Sequence, residues 1–143
     1  MFPKARFIHI VRHPYEVVPS TIHMWKIVLD QNKLNRKGSD PGIEEVAKGL
    51  HKVLTTIEKD RSVIPEENFY EMKFEDLKAD PIAEFRKIYS WFHMSFDDAL
   101  SHNIQSFMDN LKNYKKNEFH LADEEKQLIR KQLSHHMQIF NYR

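Results

Sequence analysis

The sequence predicts an α/β protein with few parallel strands and mostly helical covering. A short apolar run at residues 7–11 has the composition of a strand, and alternation of apolar and polar residues returns at residues 69–74. Between and after these runs, apolar residues recur at helical spacing, and strands separated by helices are typical of a parallel sheet. At 143 residues and 41% hydrophobic content, the chain is long enough for one core. We therefore expect a single domain, or part of one, over residues 1–143.

The first strand is followed by a candidate anion site. Its nearly continuous apolar run, Phe7–Val11, is of the kind expected where both faces of a strand are covered, and Pro14 ends it and opens a helix. Arg12 therefore lies at the carboxyl end of a strand, where α/β sheets usually bind ligands, and Ser20 lies in the next helix. A guanidinium and a hydroxyl near a helix start favour phosphate binding. Arginines that only pair with a surface carboxylate share this spacing, which leaves both interpretations open.

The first helix is predicted from about Pro14 to Leu29. We expect Pro19 to interrupt it, because proline removes a backbone hydrogen bond, and the resulting tilt would help to aim Ser20 at the anion. The stretch 31–42 is rich in glycine, proline and charged residues and is predicted to be a loop. The buried face of the helix is predicted from a spacing of three and four residues, with the members Val18, Ile22, Trp25 and Leu29.

The remaining elements follow from the same periodicities. Tyr70, Met72 and Phe74 alternate with polar residues and predict the second strand. Acidic residues at 123–125 favour the positive end of a helix dipole and mark the start of the last helix. Residues 95–120 are predicted to be part helix and part loop. The other predicted helices are a second one over residues 43–57, one that begins near Pro81, and the last one over residues 123–140.

Two blocks of the sequence resemble the sulfotransferase family. The first is Phe2-Pro-Lys-Ala-Arg-Phe-Ile-His-Ile-Val-Arg-His-Pro, followed by Ser20. It is similar to the segment in which an arginine and a serine hold the 3'-phosphate of 3'-phosphoadenosine 5'-phosphosulfate (PAPS). The second, Lys73-Phe-Glu-Asp-Leu-Lys-Ala-Asp-Pro81, resembles the family's Tyr-Glu-Asp-Leu-x-x-x-Pro block. The resemblance implies a P-loop-like α/β fold, PAPS as cosubstrate, and Arg12 and Ser20 as ligands of the 3'-phosphate.

The resemblance begins in the middle of the family's domain. Family members start with a strand and a loop that grips the 5'-phosphosulfate, and that loop would precede residue 1. The three glycines, Gly38, Gly42 and Gly49, form no glycine-rich turn between a strand and a helix. The family's general base also tends to lie upstream, so no catalytic residue is assigned. The resemblance therefore implies the carboxyl-terminal part of a sulfotransferase, which we expect to be inactive as this chain alone.

Three further residues are assigned to the cofactor by the resemblance. Phe74 stands where the family usually has a tyrosine that packs near the adenine, and it keeps the ring but loses the hydroxyl. A simple core role for Phe74 also stays open. Lys115 and Lys116 lie where related enzymes bring a late basic segment to the 3'-phosphate, although adjacent lysines are more often only solvated. Glu75 and Asp76 could contact a ligand or cap the helix after the second strand, and we interpret both as caps.

Composition excludes several other classes of protein. The formal net charge of +1 argues against a dedicated nucleic-acid binder. Without cysteine there is no disulfide framework and no thiolate metal site. No apolar run approaches the roughly 18 residues of a membrane span, and the start is no signal peptide, which predicts a cytoplasmic location.

The nine histidines do not predict a metal site. His9 and His13 straddle a strand and a turn, so they lack the shared face of a helical His-x-x-x-His pair. His135 and His136 are adjacent on a helix and point in different directions. We expect His13 to act locally at the strand-to-helix turn.

The resemblance implies a transferase that moves a sulfuryl group from PAPS to a hydroxyl or amine of an unknown acceptor. This chain would supply the half of the site that binds the 3'-phosphate, and a missing amino-terminal half or a partner would supply the rest. Two alternatives stay open from the sequence. One is a non-catalytic relative that binds nucleotide phosphates or packs against a partner protein, and the other is a helical interaction domain with no nucleotide.

Overall fold

The computed structural model describes residues 4–32, 41–111, 115 and 117–143. Parallel strands with mostly helical covering confirm the predicted fold class. Two short 3₁₀ helices, Arg61–Val63 and Glu66–Asn68, precede the second strand. In these ranges the strands and α-helices are, in chain order, β1 (Phe7–Val11), α1 (Pro14–Gln31), α2 (Ile43–Asp60), β2 (Phe69–Lys73), α3 (Phe74–Ala79), α4 (Pro81–Trp91), α5 (Asp98–Asn110) and α6 (Asp123–Ile139).

The two strands are parallel and in full register. Phe7 lies beside Phe69 at one end, and Val11 lies beside Lys73 at the other. Because parallel strands end at the same edge of a sheet, the residues that follow β1 and β2 emerge next to each other. Those residues are Arg12 and Phe74. The predicted strand at residues 69–74 is confirmed except for its last residue, which begins α3 instead.

The prediction that β1 is covered on both faces is wrong. Phe7, Ile8 and Ile10 are 44%, 47% and 49% exposed, and only Val11 of the strand is buried. An apolar run indicates that a strand can pack against other apolar elements. Whether the covering elements are present depends on the rest of the fold, and the covering of β1 is incomplete among the described residues.

The chain divides into two compact units, each made of two separate segments. The sheet unit takes residues 1–12 and 62–116 and contains β1, β2, α3, α4 and α5. Its core is the cluster of Met72, Ile88 and Phe92. The expected single domain stays a prediction.

The helical unit takes residues 13–61 and 117–143. The unit contains α1, α2 and α6, which pack on one another. One buried side chain from α1, one from α2 and three from α6 form its core, and these are Val18, Ala47, Ile129, Leu133 and Met137.

Helix α1 departs from its prediction in two ways. It runs unbroken through Pro19, so the expected interruption is wrong; the buried proline removes one backbone donor without ending the helix. Trp25, predicted for the buried face, is 44% exposed. The expected local role of His13 is confirmed, because its Nδ1 accepts a hydrogen bond from the Tyr15 amide at 3.1 Å and caps the helix.

The start of α4 is fixed by a side-chain cap. Asp80 Oδ1 accepts a hydrogen bond from the Ala83 amide at 3.0 Å, and Pro81 occupies the first helical position. We expect Asp80→Ala to lower the free energy of unfolding by about 1 kcal/mol, because the amide loses its acceptor. Urea unfolding followed by Trp91 fluorescence, in a Trp25→Phe background, measures this loss in the sheet unit, which contains α4. Asp80→Asn keeps a capping oxygen, and an equal loss in that variant would contradict the explanation.

Candidate functional site

The candidate site is built on the carboxyl ends of β1 and β2. Arg12 follows β1 directly, and Phe74 follows β2 as the first residue of α3. Both side chains are half-buried. The guanidinium carbon of Arg12 lies over the Phe74 ring, 4.6 Å from its centre, which is the geometry of a cation–π contact. The structure therefore brings these two predicted site residues together.

A second contact between the two chain segments lies three residues before Arg12. His9 Nδ1 is 2.8 Å from Glu71 Oε2, and the register places the two residues side by side. The His9 ring also lies 6.2 Å from the Phe69 ring, centre to centre. Cross-strand pairs of this kind stabilise a sheet and hold its register. Because β1 and β2 are held in register, the positions of Arg12 and Phe74 relative to each other are fixed as well.

The contact with Phe74 holds the Arg12 guanidinium beside the strand ends. Hydrogen bonds to phosphate or carboxylate use the N–H groups at the edge of a guanidinium. An arginine that is already held in place loses less conformational entropy when it binds a pair of oxygens. The arrangement is therefore chemically suited to an anion that approaches the strand ends. Sequence reasoning assigned separate roles to the two residues and missed their contact, although their positions near the ends of the two predicted strands were the available signal.

The other predicted site residues are not brought into this contact. Ser20 is half-buried in α1 and belongs to the helical unit. Lys115 is exposed, and Lys116 lies outside the described residues. Glu75 and Asp76 lie in the first turn of α3, where their charge suits the positive end of the helix. The N-cap residue is Lys73, whose side chain makes no capping hydrogen bond, and the capping role of Glu75 and Asp76 stays a prediction.

The sheet unit also contains an open cavity of about 860 Å³ that the sequence did not predict. Tyr70 and Trp91 form one wall, with an edge-to-face contact at 5.8 Å between ring centres. Burial, and to a smaller degree the charge of Glu84, raise the pKa of Tyr70, so its hydroxyl stays protonated at neutral pH. Tyr70 is the second residue of β2, near its amino end, whereas Phe74 follows its carboxyl end. The cavity is therefore separate from the Arg12–Phe74 contact.

Metal-binding clusters and membrane-spanning helices are both absent from the described residues. In ranges 4–32, 41–111, 115 and 117–143, no group of three or more histidine, aspartate or glutamate side chains could hold a metal ion. Over the same part of the chain, no helix has the length and apolar character needed to cross a membrane.

Comparison with known proteins gives the family. Residues 1–98 match the profile described as the sulfotransferase family. This match covers more than half of the 143 residues, so the chain belongs to the sulfotransferase family. The resemblance found in the two sequence blocks is thereby confirmed.

The chain is also similar to individual sulfotransferases. It is 29% identical over 129 residues to the omega-hydroxy-beta-dihydromenaquinone-9 sulfotransferase Stf3 of Mycobacterium tuberculosis and, equally, of Mycobacterium bovis. The match covers 90% of this chain and 33% of those relatives. The crystal structure of sulfotransferase STF9 from Mycobacterium avium shares its fold with a TM-score of 0.72 at 18% identity, over 99% of this chain and 37% of that one. The chain thus spans about a third of the length of the curated relatives it matches.

Proposed function

We propose that this chain supplies the 3'-phosphate-binding part of a sulfotransferase site whose donor is PAPS. The observation that carries the proposal is the cation–π contact of the Arg12 guanidinium with Phe74 at the ends of two parallel strands, in a chain of the sulfotransferase family. Arg12 donates to the 3'-phosphate from the edge of its guanidinium, and Phe74 packs near the adenine. Ser20, Lys115 and Lys116 are assigned to the same phosphate by the family resemblance alone.

The proposed reaction is an in-line displacement at sulfur. A bond forms between the sulfur and a hydroxyl or amine of the acceptor, and the bond between the sulfur and the bridging oxygen of the nucleotide breaks. The acceptor's proton passes to a general base, and the electron pair of the broken bond stays on the leaving nucleotide. Arg12 positions the nucleotide and does not touch the transferred group. The Stf3 relatives are named for an omega-hydroxy compound, which supports a hydroxyl acceptor.

We also propose that these 143 residues do not transfer sulfuryl alone. The chain spans 33% of the Stf3 relatives, and the family's 5'-phosphosulfate loop and general base are not assigned to any residue here. A nucleotide-binding module without catalysis is the second candidate function, and the same observation favours it. A cytoplasmic location stays a prediction.

The test is a calorimetric titration of the purified chain with 3'-phosphoadenosine 5'-phosphate, with 5'-AMP as the ligand that lacks the 3'-phosphate. We expect saturable binding of the first ligand only. Arg12→Ala is expected to weaken it by about 10- to 150-fold, the value of a hydrogen bond to a charged group. Arg86→Ala is the matched control, because Arg86 also stacks on a ring at 4.6 Å, that of Phe96, but lies in α4.

Three results would contradict the proposal. Equal affinity for 5'-AMP would remove the role of the 3'-phosphate. Equal weakening by Arg86→Ala would show that loss of any stacked arginine disturbs the fold. Absence of binding by a chain with a normal helical circular-dichroism spectrum would show that these residues do not form the 3'-phosphate site by themselves.

A further inference from the structure

The open cavity of the sheet unit is lined by side chains of three chemical kinds. Tyr70 of β2 and Trp91 of α4 form its aromatic wall. Glu66 and Glu67, in the second 3₁₀ helix, are exposed acids, and Arg86 of α4 is an exposed base. All the lining residues belong to one compact unit. The cavity is separate from the proposed nucleotide site, so the ligand that it binds is independent of the proposed function.

The acids and the arginine of this cavity have no counter-ion within the protein. None of the ion pairs among the described residues involves Glu66, Glu67 or Arg86. The guanidinium carbon of Arg86 lies over the Phe96 ring, 4.6 Å from its centre, and a ring contact does not neutralise the charge. Two carboxylates on one element and a guanidinium on another are therefore available to a ligand.

The second cation of the cavity is already paired. Lys87 also lines the cavity, but it forms an ion pair with Glu84, three residues before it on the same helix. A purely anionic ligand would thus meet two unpaired acids, and a purely cationic ligand would meet the unpaired Arg86. A ligand that carries a positive charge at one end and a negative charge at the other complements both elements.

The aromatic wall favours a ring on the same ligand. Trp91 is 40% exposed, and Tyr70 is half-buried with a protonated hydroxyl that can donate a hydrogen bond. Aromatic side chains pack well against other rings in edge-to-face or offset arrangements. The cavity volume of about 860 Å³ lies in the range of sites that bind small organic molecules, roughly 300–1,000 Å³. Apolar walls with a few polar groups are also typical of such sites.

We propose that this cavity is a second binding site of the chain, for a zwitterionic small molecule of the dipeptide class that carries an aromatic ring. The ammonium group of the ligand pairs with Glu66 and Glu67, and its carboxylate pairs with Arg86. Its ring packs on Tyr70 and Trp91. Charge complementarity determines this choice of ligand, because each end of the dipeptide meets a charge that the protein itself leaves unpaired.

The test is a titration with the dipeptide phenylalanylphenylalanine, followed by Trp91 fluorescence in a Trp25→Phe background that leaves Trp91 as the single tryptophan. The N-acetyl form lacks the ammonium group, the amide form lacks the carboxylate, and alanylalanine lacks the rings. We expect saturable binding of phenylalanylphenylalanine. Each form without one charge should bind about 2- to 5-fold more weakly, the value of an exposed ion pair. Alanylalanine should bind at least about tenfold more weakly.

Two variants assign each charge of the ligand to one side of the cavity. Glu66→Gln/Glu67→Gln is expected to abolish the preference for the dipeptide over its N-acetyl form and to keep the preference over the amide form. Arg86→Gln is expected to do the reverse, and Arg86→Lys, which keeps the positive charge, to retain the preference for the carboxylate. Damage to the fold would weaken binding of all forms together, so it cannot produce this crossed pattern.

Four results overturn the proposal. The first is no saturable binding by a chain with a normal helical circular-dichroism spectrum. The second is equal affinity for the dipeptide and its two single-charge forms, which would reduce the cavity to an apolar surface. The third is loss of both preferences in either the acid or the arginine variant. The fourth is competition by 3'-phosphoadenosine 5'-phosphate, which would place the dipeptide at the nucleotide site.

Discussion

Replacing Leu133 by alanine is expected to lower the free energy of unfolding of the helical unit by about 2–5 kcal/mol. Leu133 is completely buried in α6 and belongs to the cluster that includes Val18 of α1 and Ala47 of α2. Truncation removes apolar area from the core and leaves a cavity that three packed helices can close only in part. Leu133 thus belongs to a core that all three helices of this unit share.

The measurement uses the distribution of the two tryptophans. Trp25 lies in α1 and Trp91 in α4, so a Trp91→Phe background leaves a single reporter in the helical unit. Urea unfolding followed at Trp25 then gives the loss for that unit. Leu128→Ala is the matched control on the same helix, because Leu128 is 40% exposed, and we expect it to cost at most about 1 kcal/mol. Similar losses in the two variants would mean that the Leu133 core does not hold the unit together.

The second large effect is a loss of stability in acid that arises from His136. This side chain is 2% exposed, and neither ring nitrogen has a hydrogen-bond partner among the described residues. Burial lowers its pKa below the ordinary value of 6.5, and the neighbouring His51 and His135 lower it further, while Glu58 opposes them. His51 and Glu58 face it from α2, and His135 from α6.

The sign of the effect follows from proton binding. Near and below pH 6.5 the unfolded chain protonates His136 more readily than the folded protein does. The stability that the folded protein gains by keeping His136 neutral is therefore fully present above that pH, and it is lost as the pH falls below it. We expect the urea midpoint at Trp25 to decrease between pH 8 and pH 5.

His136→Leu is expected to flatten this pH dependence and to raise stability at pH 8 by about 1 kcal/mol, because a buried polar group without a partner is removed. His102→Leu is the control, since His102 is exposed on α5 and should leave the pH dependence unchanged. A His136→Leu variant with the wild-type pH dependence would assign the acid sensitivity to other groups.

Much of the fold was predictable because its signals are local. Pro14 and Pro81 mark helix starts, and the alternation around Tyr70 marks β2, so these elements lie close to where the sequence predicts them. The errors concern packing. The exposure of Trp25 and of Ile10 depends on which elements lie over them, and no local pattern contains that information.

The candidate site was predictable only in part for the same reason. The end of β1 could be located from the sequence and identified Arg12, whereas Phe74 was identified by the family resemblance and was predicted to be the last residue of β2. Their contact depends on the parallel pairing and register of β1 and β2, two segments that are far apart in the chain. The roles of Ser20 and Lys115 depend on a bound nucleotide, and they stay predictions.

The interleaving of the two units also constrains the order in which they can mature during synthesis. The helical unit begins at residue 13, yet three of its core side chains come from α6, Asp123–Ile139. Helices α1 and α2 are synthesised before α6. The core that they share with α6 therefore cannot form until residues 62–116 and α6 itself have been translated. A premature stop just before residue 123 would therefore leave every helix and strand of the sheet unit encoded, while Val18 and Ala47 would face water or a chaperone.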